Sequence, residues 1–236
     1  MTDLLKVKDR DIVVPGEILA VGLGFLPGKG TYRDGDKLIA GMLGMVSVEN
    51  KVVKLISLSG KYIPKVYDKV IGKVIDVLMT GWRIDIGSAY SAVLNLKEAT
   101  SEFIERGADL TRIYNLDDYV MVQITNVTSQ KLVDVSSRGP GLRKLNGGRI
   151  IEVNPHKVPR IIGKEGSMVS MVKQATGCNI LVGQNGWVWL EGEPEKEIIA
   201  VNTIRKIEEE AHHMGLTDKI KDYLEKVTGV KIQAKE

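Results

Sequence analysis

The sequence predicts a multidomain α+β protein in which two β units precede an α/β unit. Three observations lead to this prediction. Short apolar runs broken by glycine-rich turns fill the first half of the chain. A segment rich in Gly and basic residues, 138–148, then interrupts the pattern. Beyond it, strand-like runs alternate with amphipathic helices. We therefore expect an N-terminal β domain, a second β domain, a linker and an α/β domain, at 1–64, 65–137, 138–148 and 149–236.

The first predicted segment, 1–64, has the texture of an all-β domain made of hairpins. The stretches IVVPGEILAVG, KLIAGMLGMVSVE and KVVKLISL are rich in β-forming residues. The stretches PGKG, RDGD and LSGK between and beside them are typical of turns.

The second segment, 65–137, supplies five further strand candidates. They are KVIGKVIDVLM, GWRIDIG, SAVLNL, DDYVMVQITNVT and KLVDVSS. The stretch SEFIERGADL separates the third candidate from the fourth and predicts a short helix or an ordered loop. Five strands with one long connection at this point are typical of an OB-type barrel.

The third segment, from residue 149 onward, alternates strands and helices. RIIEVNP, NILVG and NGWVWLEG are strand candidates, and SMVSMVKQATG predicts a helix that stops at Gly177. The longest predicted helix is PEKEIIAVNTIRKIEEEAHHMG, with Pro194 in its first turn. A last amphipathic helix, LTDKIKDYLEKVTG, follows.

The pair Gly163 and Gly166 follows an apolar helical turn and opens the next helix. This order of elements is typical of a KH domain, whose GxxG loop clamps about four nucleotides. Glycines let a sugar–phosphate backbone approach closely, and N–H groups at a helix start favour anions. Lys164 and Arg160 add positive charge, whereas Glu165 would repel phosphate. An RNA-binding loop and an ordinary tight turn both remain open here.

The second β domain resembles an S1-type OB domain. The matching residues are Lys73–Val77, Gly81–Ile86 and Asp117–Val120. The resemblance implies that exposed aromatic side chains stack on single-stranded bases while basic groups follow the backbone. The candidates for stacking and for phosphate contact are Trp82, Tyr90, Arg83, Lys131 and Arg138. Trp82 could equally be a core or domain-contact aromatic, and each basic residue could equally be a solvated surface charge.

The combination of domains resembles the RNA-binding cap subunit of the archaeal exosome, the ribosomal RNA-processing protein four family. The stretches that carry this resemblance are Ile12–Glu17, Gly81–Trp82, Lys157–Lys164 and Asn185–Trp189. It implies a non-catalytic protein that recruits single-stranded RNA. Three copies would sit on a hexameric ring of phosphorolytic exoribonuclease-like subunits, with S1 domains around the entry pore and the N-terminal domain docked on the ring.

The sequence offers little support for an enzyme. GLGFLPGKG has Pro27 where a dinucleotide-binding fingerprint needs Gly, and Gly28-Lys29 lacks the remaining residues of a phosphate loop. Cys178 is the one cysteine, which excludes a disulfide framework and paired CxxC zinc sites. We expect no catalytic site, no metal and no cofactor.

Charge and hydropathy give broader limits. The net charge is +3, so any RNA binding must use shaped local sites. No apolar run approaches the roughly 18 residues of a membrane span, and the N-terminus has no signal-peptide core. We expect a cytoplasmic protein without membrane contact. A stand-alone S1/KH regulator of transcription or translation remains the alternative function.

Overall fold

The computed structural model describes residues 4–100, 105, 107–211 and 215–231. The chain divides into two compact units, the first ending at Gly60 and the second beginning at Lys61. The second unit contains both the barrel and the α/β domain. This first division falls at residue 60, whereas the sequence placed a boundary at residue 64.

Strands of the first unit form two four-stranded sheets, ordered β1-β3-β6-β5 and β2-β7-β8-β4. The strands are β1 Leu4–Leu5, β2 Ile12–Val13, β3 Ile18–Val21, β4 Leu26–Pro27, β5 Thr31–Asp34, β6 Lys37–Ala40, β7 Gly44–Glu49 and β8 Val52–Ser57. The β7–β8 hairpin turns at Asn50 and Lys51, which both have positive φ, as a twisted two-residue hairpin requires. Leu19, Leu38 and Val46 lie in the core of the first unit. The predicted all-β hairpin domain is confirmed.

The next five strands close into a barrel. They are β9 Lys69–Leu78, β10 Gly81–Asp85, β11 Ala92–Asn95, β12 Tyr119–Val127 and β13 Val133–Ser136. They are ordered β13-β11-β10-β9-β12, and pairing of β12 with β13 closes the ring. This is the predicted OB-type barrel. The predicted linker also contributes a strand, β14 Lys144–Leu145, which pairs with β12.

The connection between β11 and β12 begins with a short helix, α1 Leu96–Ala99. Part of the predicted SEFIERGADL element, 101–104 and 106, lies outside the described residues. A 3-10 turn, Leu110–Arg112, follows. The Asp109 carboxylate accepts hydrogen bonds from the N–H and hydroxyl of Thr111 at 3.0 and 2.6 Å. These bonds lower the pKa of Asp109 and fix the start of the turn.

In the part of the α/β domain that the structure describes, there are a three-stranded antiparallel sheet, ordered β15-β17-β16, and four α-helices. The elements are β15 Arg149–Glu152, α2 Val158–Ile162, α3 Ser167–Thr176, β16 Asn179–Val182, β17 Trp187–Glu191, α4 Pro194–Glu209 and α5 Leu216–Thr228. Both long helices predicted near the C-terminus are present. The first ends at Glu209, before the predicted end at residue 215, and residues 212–214 of the predicted stretch lie outside the described residues. No helix in the described ranges is long and apolar enough to cross a membrane.

Successive residues of β17 are buried on opposite faces of the sheet. Val188 and Leu190 belong to the core formed with the helices. Trp187 and Trp189 belong to a second cluster that includes Ile71 and other barrel side chains. The sheet therefore lies between its own helices and the barrel, which explains why the strand is apolar at every position up to Leu190.

The contact between barrel and α/β domain is also hydrogen-bonded. The Asn185 amide donates to the carbonyl oxygens of Ile71 and Ile86 at 2.8 and 2.9 Å, and its oxygen accepts from the Ile71 N–H at 3.2 Å. The Gln184 N–H donates to the carbonyl of Lys69 at 2.8 Å. Backbone groups of the barrel strand β9 are thus satisfied by the neighbouring domain, and the two domains form one unit.

Candidate nucleic-acid interface

The glycine loop between α2 and α3 depends on Gly163 for its shape. Gly163 ends α2 with φ 76° and ψ 176°, and its N–H donates to the carbonyl of Pro159 at 3.0 Å. A Cβ atom at this position would lie 2.7 Å from both Cβ and N of Met168. The conformation and the contact each require glycine. Gly163 is therefore a structural residue, whatever the loop binds.

Gly166, by contrast, has open space beside it. It begins α3 in the left-handed conformation, φ 81°, and a Cβ there would meet nothing within 4 Å. No side chain caps the N-terminus of α3. The Gly166 N–H donates to the carbonyl of Gly163 at 3.3 Å and the Ser167 N–H donates to that of Lys164, so an anion at this helix start would meet the N–H groups after Ser167.

The glycine loop and the helical turn before it carry exposed charges. Arg160, Lys164 and Glu165 are all exposed. Glu165 lies inside the loop with φ 52°. The structure thus gathers four predicted site residues, Arg160, Gly163, Lys164 and Gly166, at one place. It also keeps there the carboxylate that opposes phosphate binding.

Trp82 belongs to the barrel core. Its side chain is 0% exposed. The indole N–H donates to the carbonyl of Tyr114 at 2.8 Å, and the two rings meet edge to face with centroids 5.2 Å apart. No ring face is open to a base, so the prediction that Trp82 stacks on RNA is wrong and the core alternative is confirmed. Burial with a satisfied N–H is what a core tryptophan needs.

Arg83 is exposed at the middle of β10, beside an acidic neighbour. It lies opposite Asp76 on β9 and opposite Val93 on β11, and Val93 lies opposite Asp134 on β13. Directly opposite residues share a face of the sheet. The row therefore places Asp76 directly beside Arg83 and Asp134 two strands away on the other side, and the nearer carboxylate lowers the positive potential that a phosphate would meet.

Tyr90 and Lys131 lie just before the starts of two strands that pair in parallel. Ala92 of β11 pairs with Val133 of β13, and the two candidates each precede these residues by two positions. Tyr90 is 45% exposed, and its N–H and carbonyl both bond to the Ser88 hydroxyl, at 2.9 and 2.7 Å. Lys131 is exposed with φ 66°. An exposed aromatic ring and an exposed cation are the kinds of group that bind single-stranded RNA, so the role of both residues stays a prediction.

Arg138 lies beyond the other end of β13, away from that pair. Its guanidinium donates to the carbonyl of Thr100, and its backbone N–H donates to the Ser136 hydroxyl at 3.1 Å. These bonds tie the start of the linker to the connection that follows α1. Arg138 therefore has a structural partner, and the structure does not bring it together with Tyr90 and Lys131.

Other charged or polar groups near the barrel are engaged. Lys73 forms an ion pair with Asp117, Nζ to Oδ1 2.7 Å, which raises the pKa of Lys73. The Tyr62 hydroxyl donates to the Asp68 carboxylate at 2.6 Å. Burial, and then this carboxylate, raise the pKa of Tyr62. Within the described ranges, no group of three or more His, Cys, Asp or Glu side chains is arranged to hold a metal ion.

An open cavity of about 820 Å³ lies at the C-terminal end of β11, whereas Tyr90 precedes the start of that strand. The turn residues Met79 and Thr80 and the end of β11 border it, together with Lys97, Glu98 and Glu105. Two carboxylates and one ammonium group make this cavity less suited to phosphate than the glycine loop.

An apolar row lies on the outward face of the β2-β7-β8 sheet in the first unit. Ile12 lies opposite Met45, and Met45 lies opposite Ile56. Ile12 is 68% and Ile56 48% exposed, whereas the alternating neighbours Val46 and Leu55 face the core. A row of exposed apolar side chains is a feature that protein interaction surfaces share.

Two residues of the second unit have features that sequence reasoning missed. Asn185 was singled out only as part of a family-like stretch, and its role in joining two domains depends on contacts with Ile71, far away in the chain. Tyr67 was not singled out at all, although it is 79% exposed with φ 73°. A tyrosine in the stretch PKVYD, at a turn position that favours glycine, is the signal that could have drawn attention to it.

Comparison with known proteins bears on the family and on the domains of this chain. Three family models match: the N-terminal region of exosome complex exonuclease RRP4 over residues 12–49, the RRP4 S1 domain over 61–126, and a KH domain over 148–196. A crystal structure of an exosome complex RNA-binding protein is also similar. It has 32% sequence identity and a TM-score of 0.64, covering 71% of this chain and 97% of that one.

Curated relatives extend the similarity over nearly the whole chain. Exosome complex component Rrp4 of Methanothermus fervidus is 43% identical over 222 residues, 94% of this chain and 98% of the relative. The Methanothermobacter thermautotrophicus protein of the same name is 40% identical over 99% of this chain and 74% of its own length. The stand-alone regulator is not favoured by these relatives. The chain belongs to the Rrp4 family of exosome complex components.

Proposed function

We propose that this protein is a non-catalytic, RNA-binding cap of the exosome that recruits single-stranded RNA and guides it to the pore of a 3′-to-5′ exoribonuclease ring. The observation that carries the proposal is the union of two nucleic-acid-binding folds in one unit through Asn185. Weak contacts at the S1 barrel and at the KH loop then act on one RNA molecule at high effective concentration.

The RNA-contact residues of this proposal form two groups. One is the glycine loop, with Gly166 open to the phosphate backbone and Arg160 and Lys164 beside it. The other is the pair of Tyr90 and Lys131 on the barrel. Arg83 and Arg138 contribute less, because the first lies beside a carboxylate and the second is bonded to the chain itself.

The N-terminal unit docks on the ring through the apolar row Ile12–Met45–Ile56. The exposed isoleucines support this assignment, since burying such a row against a partner removes apolar area from water. Three copies on a hexameric ring are the stoichiometry we propose, and the cytoplasm is the compartment.

The test is RNA decay by reconstituted ring subunits from the same organism, with and without this chain. Decay and RNA binding should both increase when the chain is added, and the chain by itself should release no nucleotides. Unchanged binding and decay would refute the cap function. Nuclease activity that stays with the pure chain through stringent purification would refute the non-catalytic role.

The docking surface has its own test. Ile12→Lys should reduce co-purification with the ring while the chain stays folded, because a charge replaces an exposed apolar contact. Tyr32→Lys is the matched control, since Tyr32 is 49% exposed on the other sheet of the same unit. Equal ring binding by Ile12→Lys and wild type would refute the assignment of this row.

A further inference from the structure

The turn at Lys65–Asp68 holds a tyrosine in a conformation that tyrosine disfavours. The Asp68 N–H donates to the carbonyl of Lys65 at 3.2 Å, and Tyr67, the third residue of the turn, has φ 73°. A type II turn needs positive φ at this position, which favours Gly or Asn. Among the described non-glycine residues with positive φ, Tyr67 is the one aromatic residue.

The backbone of this turn is fixed to the barrel. The Tyr67 N–H donates to the carbonyl of Ile124 at 2.8 Å, and the Gln123 side-chain amide donates to the carbonyl of Tyr67 at 3.1 Å. The Ile124 N–H donates to the carbonyl of Asp68 at 2.9 Å. Because the surrounding structure determines the backbone, the turn does not relax to a more favourable conformation.

Packing of the Tyr67 ring offsets little of the cost of this backbone conformation. Tyr67 is 79% exposed, so it adds little to the barrel core. A large aromatic side chain held rigidly in solvent, where glycine would fit better, indicates binding more than folding.

The charges around the ring favour a nucleic acid over a protein partner. Lys65 and Lys69 flank it and are both exposed. Among the residues described, neither forms an ion pair. The Lys69 ammonium donates to the carbonyl of Pro140 at 3.1 Å. The nearest acidic residue in sequence, Asp68, is already bonded by the Tyr62 hydroxyl. Cations beside an exposed ring are the groups that bind single-stranded nucleic acid.

We infer that Tyr67 is a base-stacking residue and that Lys65, Tyr67 and Lys69 form an RNA-contact site on the barrel, the Tyr67 turn, distinct from the glycine loop. The inference rests on the proposed RNA-binding function. It assigns base stacking to Tyr67, which lies in a turn outside the strands, whereas Trp82 on β10 is buried in the barrel core.

The test compares three full-length variants by fluorescence anisotropy with a labelled oligouridine at low salt. Tyr67→Gly should weaken binding about fivefold or more, because one base loses its stacking partner. Its Tm should stay equal or rise, because glycine is relaxed at this φ. Tyr67→Phe should keep wild-type affinity. Asn50→Gly, which relieves the same kind of backbone strain in the first unit, should bind RNA like wild type.

Photocrosslinking gives a second readout that does not depend on a variant. Oligouridine carrying 5-iodouridine should form an adduct on the tryptic peptide 66–69. If wild type binds RNA but Tyr67→Gly binds it equally well and no adduct forms, the Tyr67 assignment is overturned and the proposed function stands. If wild type binds no RNA at low salt, the proposed function itself is overturned. Loss of ring binding by Tyr67→Gly with unchanged RNA affinity would assign the turn to a protein interface and overturn the RNA site.

Discussion

The side chain of Asn185 in the KH domain is hydrogen-bonded to both the N–H and the carbonyl of Ile71 in the barrel, at 3.2 and 2.8 Å. It pairs with a strand backbone as another strand would. The polar groups involved are buried, so none of them can exchange its partner for water without the domains separating.

Asn185→Ala should lower the free energy of unfolding by about 3 kcal/mol, because it leaves buried groups of Ile71 and Ile86 without partners. Urea denaturation measures this decrease. Asn179→Ala is the matched control, since Asn179 is exposed in the same domain, and it should change stability by less than about 0.5 kcal/mol. Equal effects of the two substitutions would contradict a joining role for Asn185.

Gly166→Asp should weaken RNA binding, and its salt slope should fall by about 0.7 for each phosphate group of a single strand that the variant no longer binds. The comparison is with Gly166→Asn, which has the same shape, tolerates positive φ as well, and lacks the charge. Oligouridine titrations at several salt concentrations provide the slopes. Identical slopes for both variants and wild type would mean that the glycine loop serves only as a turn.

Substitutions at the two barrel aromatics should separate stability from binding. Trp82→Phe should cost about 2 kcal/mol of stability, because it removes a buried hydrogen bond and leaves a cavity. Tyr90→Ala should leave Tm nearly unchanged and weaken RNA binding about fivefold. Thermal denaturation measures the stability of both variants, and fluorescence anisotropy measures their affinity for RNA. RNA affinity that falls only in the folded Trp82→Phe variant would reverse this assignment.

Tyr62 should make stability fall at alkaline pH. Its pKa in the folded state is raised, so the hydroxyl stays protonated while unfolded tyrosine ionises at about pH 10. The unfolded state then binds fewer protons, and stability decreases as pH rises above about 10. Urea midpoints from pH 7 to 11 should show that the advantage of wild type over Tyr62→Phe shrinks across that range. A difference that stays constant with pH would contradict the raised pKa.

Most of the fold could be predicted from local sequence patterns, because helix ends and turns depend on interactions between residues close in the chain. The turn Val158–Ile162, the glycines at each end of the loop and the stop at Gly177 all lie where the sequence predicted them. Each depends on backbone preferences of the residues themselves, such as positive φ at glycine.

The burial of Trp82 depends on contacts with residues distant in the chain, which no local sequence pattern reveals. Whether it faces inward is set by the pairing of β10 with both neighbours, including a shift in register after Arg83, and by Tyr114 at 32 positions along the chain. The barrel boundaries depended on similar contacts. Tyr62 joins the barrel core although it precedes residue 65, and β14 forms inside the predicted linker by pairing with β12.

The double burial of β17 has a practical consequence for dissecting this protein. A fragment that ends before β15 would leave Ile71, Met121 and Leu145 facing water, and a fragment that begins there would leave Trp187 and Trp189 bare. Each fragment would expose an apolar surface that favours aggregation, so we expect neither to behave as an independent domain. The KH domain covers an apolar surface of the barrel and should be kept together with it. Shortened versions of this protein should therefore be divided after Gly60 instead.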